Sequence, residues 1–478
     1  MPTGATALLP ELVIAGLVLV VLALDLVTGS VGRRATMGAV VLLGVLAALA
    51  LALERWSGGD LWLASFSGAL VSDRLSRLFG AALLTGAAGV VLLTLGQREP
   101  ARDVAPGAYY SLVLASILGA LAAVGADDLP VLGLGLALAS VPVQILARWG
   151  GGVRRREAAL RLGQSSGLAW GVFVVGLAAV WSAAGTVDYG DLAPALDEGL
   201  EPGLALAGLA LVWAAVLLSA GTVLPHFPVV DVHQAAAAPV GALLLACVAP
   251  AALVGAIRLQ VWVYDPLAAI WGPATAALAV MAAGAGATMA AAQDRLRRLI
   301  AALVCSHGGA LVLGLASGGE QGLTGTLFLL LVQGLAVLGL AGLFQAAGLG
   351  AATRLRDLGG LAARRPFLAL ALACCVLSLC GVPPTAGFAG RMLAYRAAAV
   401  SGLGWPLTLV GASQMVAAWA VIRLLAATAG EGAPAPAASR LSPATAAVIL
   451  LATAALIGLG LHPQPLVEAC RQTALSLM

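Results

Sequence analysis

Residues 366–391 read PFLALALACCVLSLCGVPPTAGFAGR, an apolar run that two adjacent prolines interrupt near its middle. Pro383 and Pro384 lack backbone N–H donors and force a break in a helix that contains them. Lipid offers the freed carbonyls no partner, so a lipid-facing helix does not tolerate such a break. The stretch predicts a broken helix inside a bundle, with half-helix ends that can hold ions or water. The alternative is a proline kink that serves packing alone.

The rest of the chain is also strongly apolar. Of its 478 residues, 61% are hydrophobic and 10% are charged, whereas soluble domains carry about 25% charged residues. The apolar runs reach the length of about 20 residues that a helix needs to cross a bilayer. We therefore expect an all-α polytopic membrane protein. All 25 basic residues are arginine, so the chain contains no lysine.

Hydropathy along the chain predicts fourteen membrane-spanning helices. They lie near 7–28, 36–54, 75–96, 107–125, 128–148, 158–184, 203–224, 236–258, 266–290, 298–316, 321–348, 366–396, 404–427 and 442–461. Arginines gather in alternate loops, as in Arg33 with Arg34 and in the run from Arg154 to Arg156. The positive-inside rule places these loops in the cytoplasm and both termini on the outer side.

The sequence indicates no cofactor site within this chain. It contains no P-loop, dinucleotide-binding fingerprint or iron–sulfur cysteine pattern, and we expect neither a metal nor a redox cofactor to bind here. The arginines are spread over short loops, which argues against nucleic acid as a partner. We interpret the six cysteines as small packing residues; they are Cys247, Cys305, Cys374, Cys375, Cys380 and Cys470.

Five segments resemble one family of membrane proteins. They are LLPELVIAGLVLVVLALDLVTG at 8–29, RRREAALRLGQSSGLAWG at 154–171, DVHQAAAAPVGA at 231–242, DRLRRLIAALVCSHGGALVLGL at 294–315 and DLGGLAARRPFLALALACCVLSLCGVPPTAGFAGR at 357–391. Together they resemble the N-type antiporter-like subunit of proton-pumping NADH:quinone oxidoreductase, respiratory complex I. GVPPTAGFAGR resembles the broken twelfth helix of antiporter-like subunits, and the opening LPE…D favours the N type over its paralogues.

The resemblance implies one membrane domain over 1–478, built from inverted repeats with broken helices seven and twelve. Residues 1–106 would form three N-terminal helices, and 442–478 the last helix and a tail. The first antiporter-like repeat would occupy 107–258 and the second 266–427.

The resemblance also implies where a proton relay would lie. The family uses a glutamate in the fifth helix and lysines in the seventh, eighth and twelfth. The flanking motifs place Ala137, Ser219, Ala249 and Arg391 at these positions. Three of the four cannot ionise, and arginine is effectively always charged, so Arg391 could anchor but hardly shuttle a proton. The relay is therefore expected to be impaired or lost.

Other proton-path candidates are few. His307, in CSHGG, matches a histidine of the family pattern, and its residue type titrates near neutral pH; a hydrogen-bonded packing role is the alternative. Pro225, Pro228 and Pro239 predict a second break around His226, Asp231 and His233. This stretch is interpreted equally well as a structural loop or as a proton entrance.

Two functional hypotheses follow from the resemblance. One is a pumping subunit that uses water and histidines instead of lysine; the other, which the residues favour, is a structural subunit that fills the N-type position. In both, NADH, FMN, iron–sulfur clusters and quinone belong to the assembled complex, and the partners are other membrane subunits and the lipid of a bacterial cytoplasmic membrane. The alternative at family level is a membrane subunit of a cation/proton antiporter complex or of a membrane-bound hydrogenase.

Overall fold

The long apolar runs form helices where the spans were predicted. The computed structural model describes residues 8–28, 34–57, 62–97, 105–197, 202–221, 227–264, 267–430 and 441–478. In this described part, thirteen helices are long and apolar enough to cross a membrane, and the broken helix over 366–400 adds a fourteenth. The predicted all-α membrane fold is confirmed.

We number the membrane helices in chain order. They are α1 (Leu9–Thr28), α2 (Arg34–Ser57), α3 (Arg74–Leu95), α4 (Pro106–Gly125), α5 (Leu129–Arg148), α6 (Val153–Ala184), α7a (Pro202–Ala220), α7b (Phe227–Ala235), α8 (Ala238–Val263), α9 (Ala268–Ala292), α10 (Leu296–Ser317), α11 (Gly319–Ala346), α12a (Pro366–Cys380), α12b (Ala386–Val400), α13 (Gly404–Ala429) and α14 (Pro443–Leu461). Helix α8 includes two π-helical segments, Leu244–Val248 and Leu259–Val263.

Local sequence signals set where several helices begin. Asp73 caps α3 by accepting a hydrogen bond from the Ser76 backbone N–H at 2.8 Å. Asp128 caps α5 through the Val131 N–H at 2.6 Å. Both carboxylates satisfy donors that the first helical turn leaves unpaired.

Glycine lets pairs of helices touch backbone to backbone. A Cβ added at Gly119 on α4 would lie 2.3 Å from the Ala139 nitrogen on α5. A Cβ added at Gly286 on α9 would lie 2.3 Å from the Ser306 nitrogen on α10. Helices α8, α10 and α11 are almost completely buried, so the core lies around these three helices.

The end of the bundle opposite the arginine-rich loops carries three further elements. A hairpin pairs β1 (Leu63–Ser65) with β2 (Leu70–Ser72) in antiparallel register. A short helix, Tyr189–Asp197, follows α6. The tail expected after α14 forms a helix, Gln464–Leu477, so sequence reasoning missed a regular element there.

Candidate functional site

The twelfth helix is interrupted where the sequence predicts it. Helix α12a ends at Cys380, and Gly381 continues the chain with a φ of 68°, a left-handed conformation that favours glycine. Pro383 and Pro384 fill the gap before α12b. The break leaves the last carbonyls of α12a without their usual helical donors, so other groups have to satisfy them.

The Arg391 side chain satisfies these carbonyls. Its buried guanidinium donates from Nη2 to the Leu379 carbonyl at 2.7 Å and from Nη1 to the Cys380 carbonyl. Nη1 also donates to Oε1 of Gln414 on α13 at 2.8 Å. A positive charge is thus fixed at the negative end of the α12a dipole, which is a structural use of the residue.

His307 lies beside this guanidinium. Its Nε2 is 3.1 Å from the Leu329 carbonyl, and its Nδ1 is 3.2 Å from the Leu379 carbonyl and 3.4 Å from Nη2 of Arg391. Arginine can only donate, and a neutral imidazole donates from one nitrogen and accepts at the other. With its proton on Nε2, His307 donates to Leu329 and accepts at Nδ1 from Arg391; with a proton on Nδ1, it donates to the Leu379 carbonyl instead. In either form His307 contacts the carbonyl and the guanidinium that meet at the α12 break.

Neutral polar groups complete this cluster. Nε2 of Gln414 donates to the Ser306 carbonyl and lies equally close to its hydroxyl, at 3.2 Å in both cases. Gln333 on α11 donates to the Leu245 carbonyl in the first π-helical segment of α8 at 3.3 Å. Amides and hydroxyls can bind water, but they do not change charge. A search of the sequence for ionisable residues overlooks them, although glutamine within an apolar run is a usable signal.

The second predicted break separates α7a from α7b. Helix α7a ends at Ala220, and residues 222–226 lie outside the described part of the chain, so the proposed roles of Pro225 and His226 fall outside it too. Asp231 on α7b accepts from Arg161 at 2.6 Å and from Arg298 at 3.0 Å. Two permanent cations hold this carboxylate, and its contacts favour an anchor between α6, α7b and α10.

His233, also on α7b, is separate from that ion pair. The ring is buried and meets Phe344 edge to face at a centroid distance of 5.7 Å. Neither ring nitrogen has a hydrogen-bond partner within the described residues. The contacts of His233 therefore assign it neither a structural role nor a role in proton transfer.

The positions implied for the family relay contain small side chains. Ala137 on α5 and Ser219 on α7a line one cavity of only about 20 Å³. The Ser219 hydroxyl donates back to the Ala215 carbonyl of its own helix at 2.9 Å. Ala249 is fully buried directly after the first π-helical segment of α8. The structure thus brings the fifth- and seventh-helix positions together but supplies no titratable group at them.

One buried ion pair was missed by the sequence reasoning. Arg258 on α8 donates from Nη2 to Oδ1 of Asp73 at 2.7 Å, and from Nε to the Val124 carbonyl at 2.9 Å. Both side chains are buried, and the arginine lies over the Trp262 ring at 4.7 Å. The signal was available, because Arg258 is the only charge between Asp231 and Asp265 in the sequence. The pair ties the start of α3 to α8.

The candidates therefore separate into distinct places. Arg391 and His307 lie together at the α12 break, whereas Asp231 and His233 make their contacts around α7b. The six cysteines are all buried and free of disulfides, in agreement with a packing role. Among the described residues, no group of three or more His, Cys, Asp or Glu side chains is arranged to hold a metal ion.

Comparisons with known proteins agree with this architecture. Residues 126–416 match the family described as NADH:quinone oxidoreductase/Mrp antiporter, transmembrane. The chain is 31% identical to NADH-quinone oxidoreductase subunit N of Chloroflexus aggregans, over 97% of this chain and 96% of that protein. It resembles a chain of respiratory complex I from Thermus thermophilus with bound aureothin, with 28% identity, a TM-score of 0.80 and coverage of 96% of this chain and 98% of the other.

A chain of the Mrp complex from Dietzia sp. has the same fold, with a TM-score of 0.88 at 20% identity and coverage of 100% of this chain and 98% of that one. This likeness concerns the fold alone. The family match extends from the turn before α5 to the middle of α13 and includes both helix breaks. The chain therefore belongs to the NADH:quinone oxidoreductase/Mrp antiporter transmembrane family.

Proposed function

We propose that this chain is subunit N of the membrane arm of a proton-translocating NADH:quinone oxidoreductase. The support is the likeness to proteins named subunit N over nearly the full length of both chains, together with the fold of a complex I membrane subunit. In the assembled complex, FMN and iron–sulfur clusters in other subunits carry electrons from NADH to quinone. This chain performs no redox chemistry itself.

Within that complex, the chain acts mainly as a structural subunit, and its proton channel is impaired or lost. A relay needs groups that gain and lose protons near neutral pH. Ala137, Ser219 and Ala249 offer none. The observation that carries the proposal is Arg391, whose permanently charged guanidinium is engaged by two α12a carbonyls and Gln414.

Arg391 also limits what His307 can do. Taking a second proton would place an imidazolium against a guanidinium whose Nη2 lies 3.4 Å from Nδ1. Like charges repel strongly in a medium of low dielectric constant, so the guanidinium opposes a second positive charge beside it. His307 is therefore assigned as a positioning residue for Arg391.

A conducting subunit is the competing function. His233 favours it, since a buried imidazole without a partner in the described residues could bind a water of a proton path. The alternative of a subunit of a cation/proton antiporter complex or a membrane-bound hydrogenase has weaker support. The likeness to a chain of the Mrp complex is at 20% identity and concerns the fold alone.

We also propose partners and an orientation for the subunit. The subunit would lie between the small quinone-proximal subunits and the next antiporter-like subunit, in a bacterial cytoplasmic membrane. The arginine-rich ends of the helices would face the cytoplasm and both termini the outer side, according to the positive-inside rule.

The test is the number of protons translocated per electron pair by the whole complex in sealed vesicles. We expect normal electron transfer to quinone, with fewer protons than in a complex whose antiporter-like subunits all conduct. His307→Gln should leave this ratio unchanged, because the histidine carries no proton in the proposed role. The matched positive control replaces a relay lysine of the neighbouring antiporter-like subunit and should lower the ratio. A full complement of protons, or a lower ratio in His307→Gln, would contradict a structural role.

A further inference from the structure

A cavity of about 530 Å³ lies at the arginine-rich end of the bundle. Its lining comes from α2 to α6, α8, α10 and α11, together with residues at the ends of these helices. None of the proton-path candidates in the described part of the chain lines it. The cavity lies beside the segment that follows α7b, because Ala237 and Ala238 line it.

Two of its guanidiniums are held in place next to each other. Arg155 on α6 donates from Nε to the Ala235 carbonyl at 3.2 Å. Arg297 on α10 donates from Nη1 to the next carbonyl, that of Ala236, at 3.0 Å. Each makes a second bond to a backbone carbonyl, Arg155 to Trp149 at 2.9 Å and Arg297 to Leu349 at 3.0 Å. Consecutive carbonyls at the end of α7b thus hold two cations close together.

These carbonyls neutralise neither charge. An arginine has more N–H donors than such a pair of bonds uses, and no Asp or Glu occurs among the described residues that line the cavity. The neighbouring cavity, of about 230 Å³, differs in this respect. There, Asp231 bonds Arg161 and Arg298, so two of the arginines that line it have a carboxylate partner.

The remaining lining indicates which kind of ligand would suit the cavity. Tyr109, Tyr110 and Gln97 add hydrogen-bonding groups, while Leu95 and Leu146 add apolar surface. Gln345 also lines the cavity, and its Oε1 is buried without a hydrogen-bond partner in the described residues. A site with paired guanidiniums, polar groups and apolar walls suits an anion that also carries hydroxyl donors and a hydrocarbon part.

We propose that this cavity binds a phosphate group, with Arg155 and Arg297 as its principal ligands. Guanidiniums bind phosphate oxygens through paired, charge-assisted hydrogen bonds, and their prior fixing by backbone carbonyls lowers the entropy cost of binding. The phosphodiester of an anionic phospholipid and free inorganic phosphate share this chemistry. The apolar walls favour the phospholipid.

The test measures the thermal unfolding temperature of the full-length purified chain in detergent micelles. Micelles are doped with dioleoylphosphatidylglycerol or, in a second arm, with zwitterionic dioleoylphosphatidylcholine; a third arm adds inorganic phosphate alone. Phosphatidylglycerol is expected to raise the unfolding temperature in a saturable way and phosphatidylcholine much less. If inorganic phosphate alone saturates the effect, the phosphate site stands and free phosphate is its ligand.

Variants assign the effect to the cavity. Arg155→Gln should raise the half-saturating phosphatidylglycerol concentration about tenfold, the loss of affinity expected for one charge-assisted contact. Arg155→Lys should restore part of the affinity. The matched control is Arg156→Gln, which removes the same charge from the next residue, exposed and outside the cavity lining. Equal increases of the half-saturating concentration in Arg155→Gln and Arg156→Gln would overturn the proposal. So would the absence of stabilisation by either phosphate source.

Arg155→Gln also loses two bonds to backbone carbonyls and can lower the ligand-free unfolding temperature. The comparison therefore uses the rise in unfolding temperature that the ligand produces in each variant, relative to the same variant without ligand. Tyr110→Phe, which removes one hydroxyl from the lining, is the second variant if Arg155→Gln does not fold. A weaker phosphatidylglycerol response in Tyr110→Phe supports the site, and an unchanged response counts against it.

Discussion

Arg391 occupies a position where the family resemblance implies a lysine, and its contacts explain what an arginine adds there. One planar guanidinium reaches the Leu379 and Cys380 carbonyls and Gln414 together, whereas an ammonium group is a compact point charge. The same change removes the ability to release a proton. At this residue, the group that caps the half-helix is also one that does not release its proton.

Arg391→Ala should destabilise the chain strongly. It leaves the two carbonyls at the α12 break without their donor, and we expect a loss of about 3 kcal/mol, as for other buried charged hydrogen-bond donors. Thermal unfolding of the purified full chain measures this loss. The matched control is Arg396→Ala on the same half-helix, since Arg396 is exposed. Equal unfolding temperatures for the two variants would contradict the capping role.

At the scale of elements, the two halves of the bundle repeat the same connections. The turn before α5 forms an isolated β-bridge between Asp128 and Asp188, which follows α6. The turn before α10 forms one between Arg295 and Arg354, which follows α11. Each half also has a broken helix, α7 and α12, and a glycine-mediated crossing of its first two helices. These parallels support the proposed division into two antiporter-like repeats.

The glycine crossings give a prediction at this scale. In Gly286→Ala the added methyl group would meet the Ser306 backbone nitrogen at 2.3 Å, so α9 and α10 have to separate. We expect a loss of about 2 kcal/mol, the usual cost of overpacking a core, seen as a lower unfolding temperature. Gly272→Ala, on the same helix with nothing within 4 Å of the added Cβ, is the control. If Gly272→Ala loses as much stability, the cause is the replacement of a helical glycine in general and not the close contact between α9 and α10.

At the scale of the whole molecule, charges from distant parts of the chain meet at the end opposite the arginine-rich loops. Burial raises the pKa of Asp127 to about 6; Arg258 opposes the rise, and Asp73, Asp188 and Asp128 add to it. These groups come from α3, α8 and the segments around α5 and α6. The result is an aspartate that titrates well above its ordinary pKa of 3.8.

Asp127 should give the fold a pH response. Because its pKa is raised on folding, its contribution to stability is complete below 3.8 and is lost as the pH rises through about 6. Asp127→Asn removes this loss, so the variant should gain stability relative to the unmodified chain as the pH rises through that value. Unfolding temperatures measured across the pH range test this. Asp191→Asn, an exposed aspartate at the same end, should show no such relative gain.

Much of the fold could be predicted from particular residues. Apolar runs located the helices because a helix in lipid has to be apolar over its whole length. Pro383 and Pro384 located the α12 break because proline cannot donate the missing hydrogen bond. The charge of Arg258 within an apolar run was visible in the sequence, but its pairing with Asp73 was not predictable, since the two residues are far apart along the chain. The tail helix was also missed, because its buried residues recur at helical spacing among too many polar ones to give a hydropathy signal.

The sequence by itself determined the class of fold, the helix breaks and the absence of lysine, since each depends on residue type and local order alone. Only the tertiary structure decided which side chains lie next to each other. It placed His307 against Arg391, Ala137 beside Ser219, and Arg155 beside Arg297 on consecutive carbonyls. The physical reason is that a charge or donor buried in a membrane protein has to be satisfied by whatever group packing brings near it. That group is often distant in sequence.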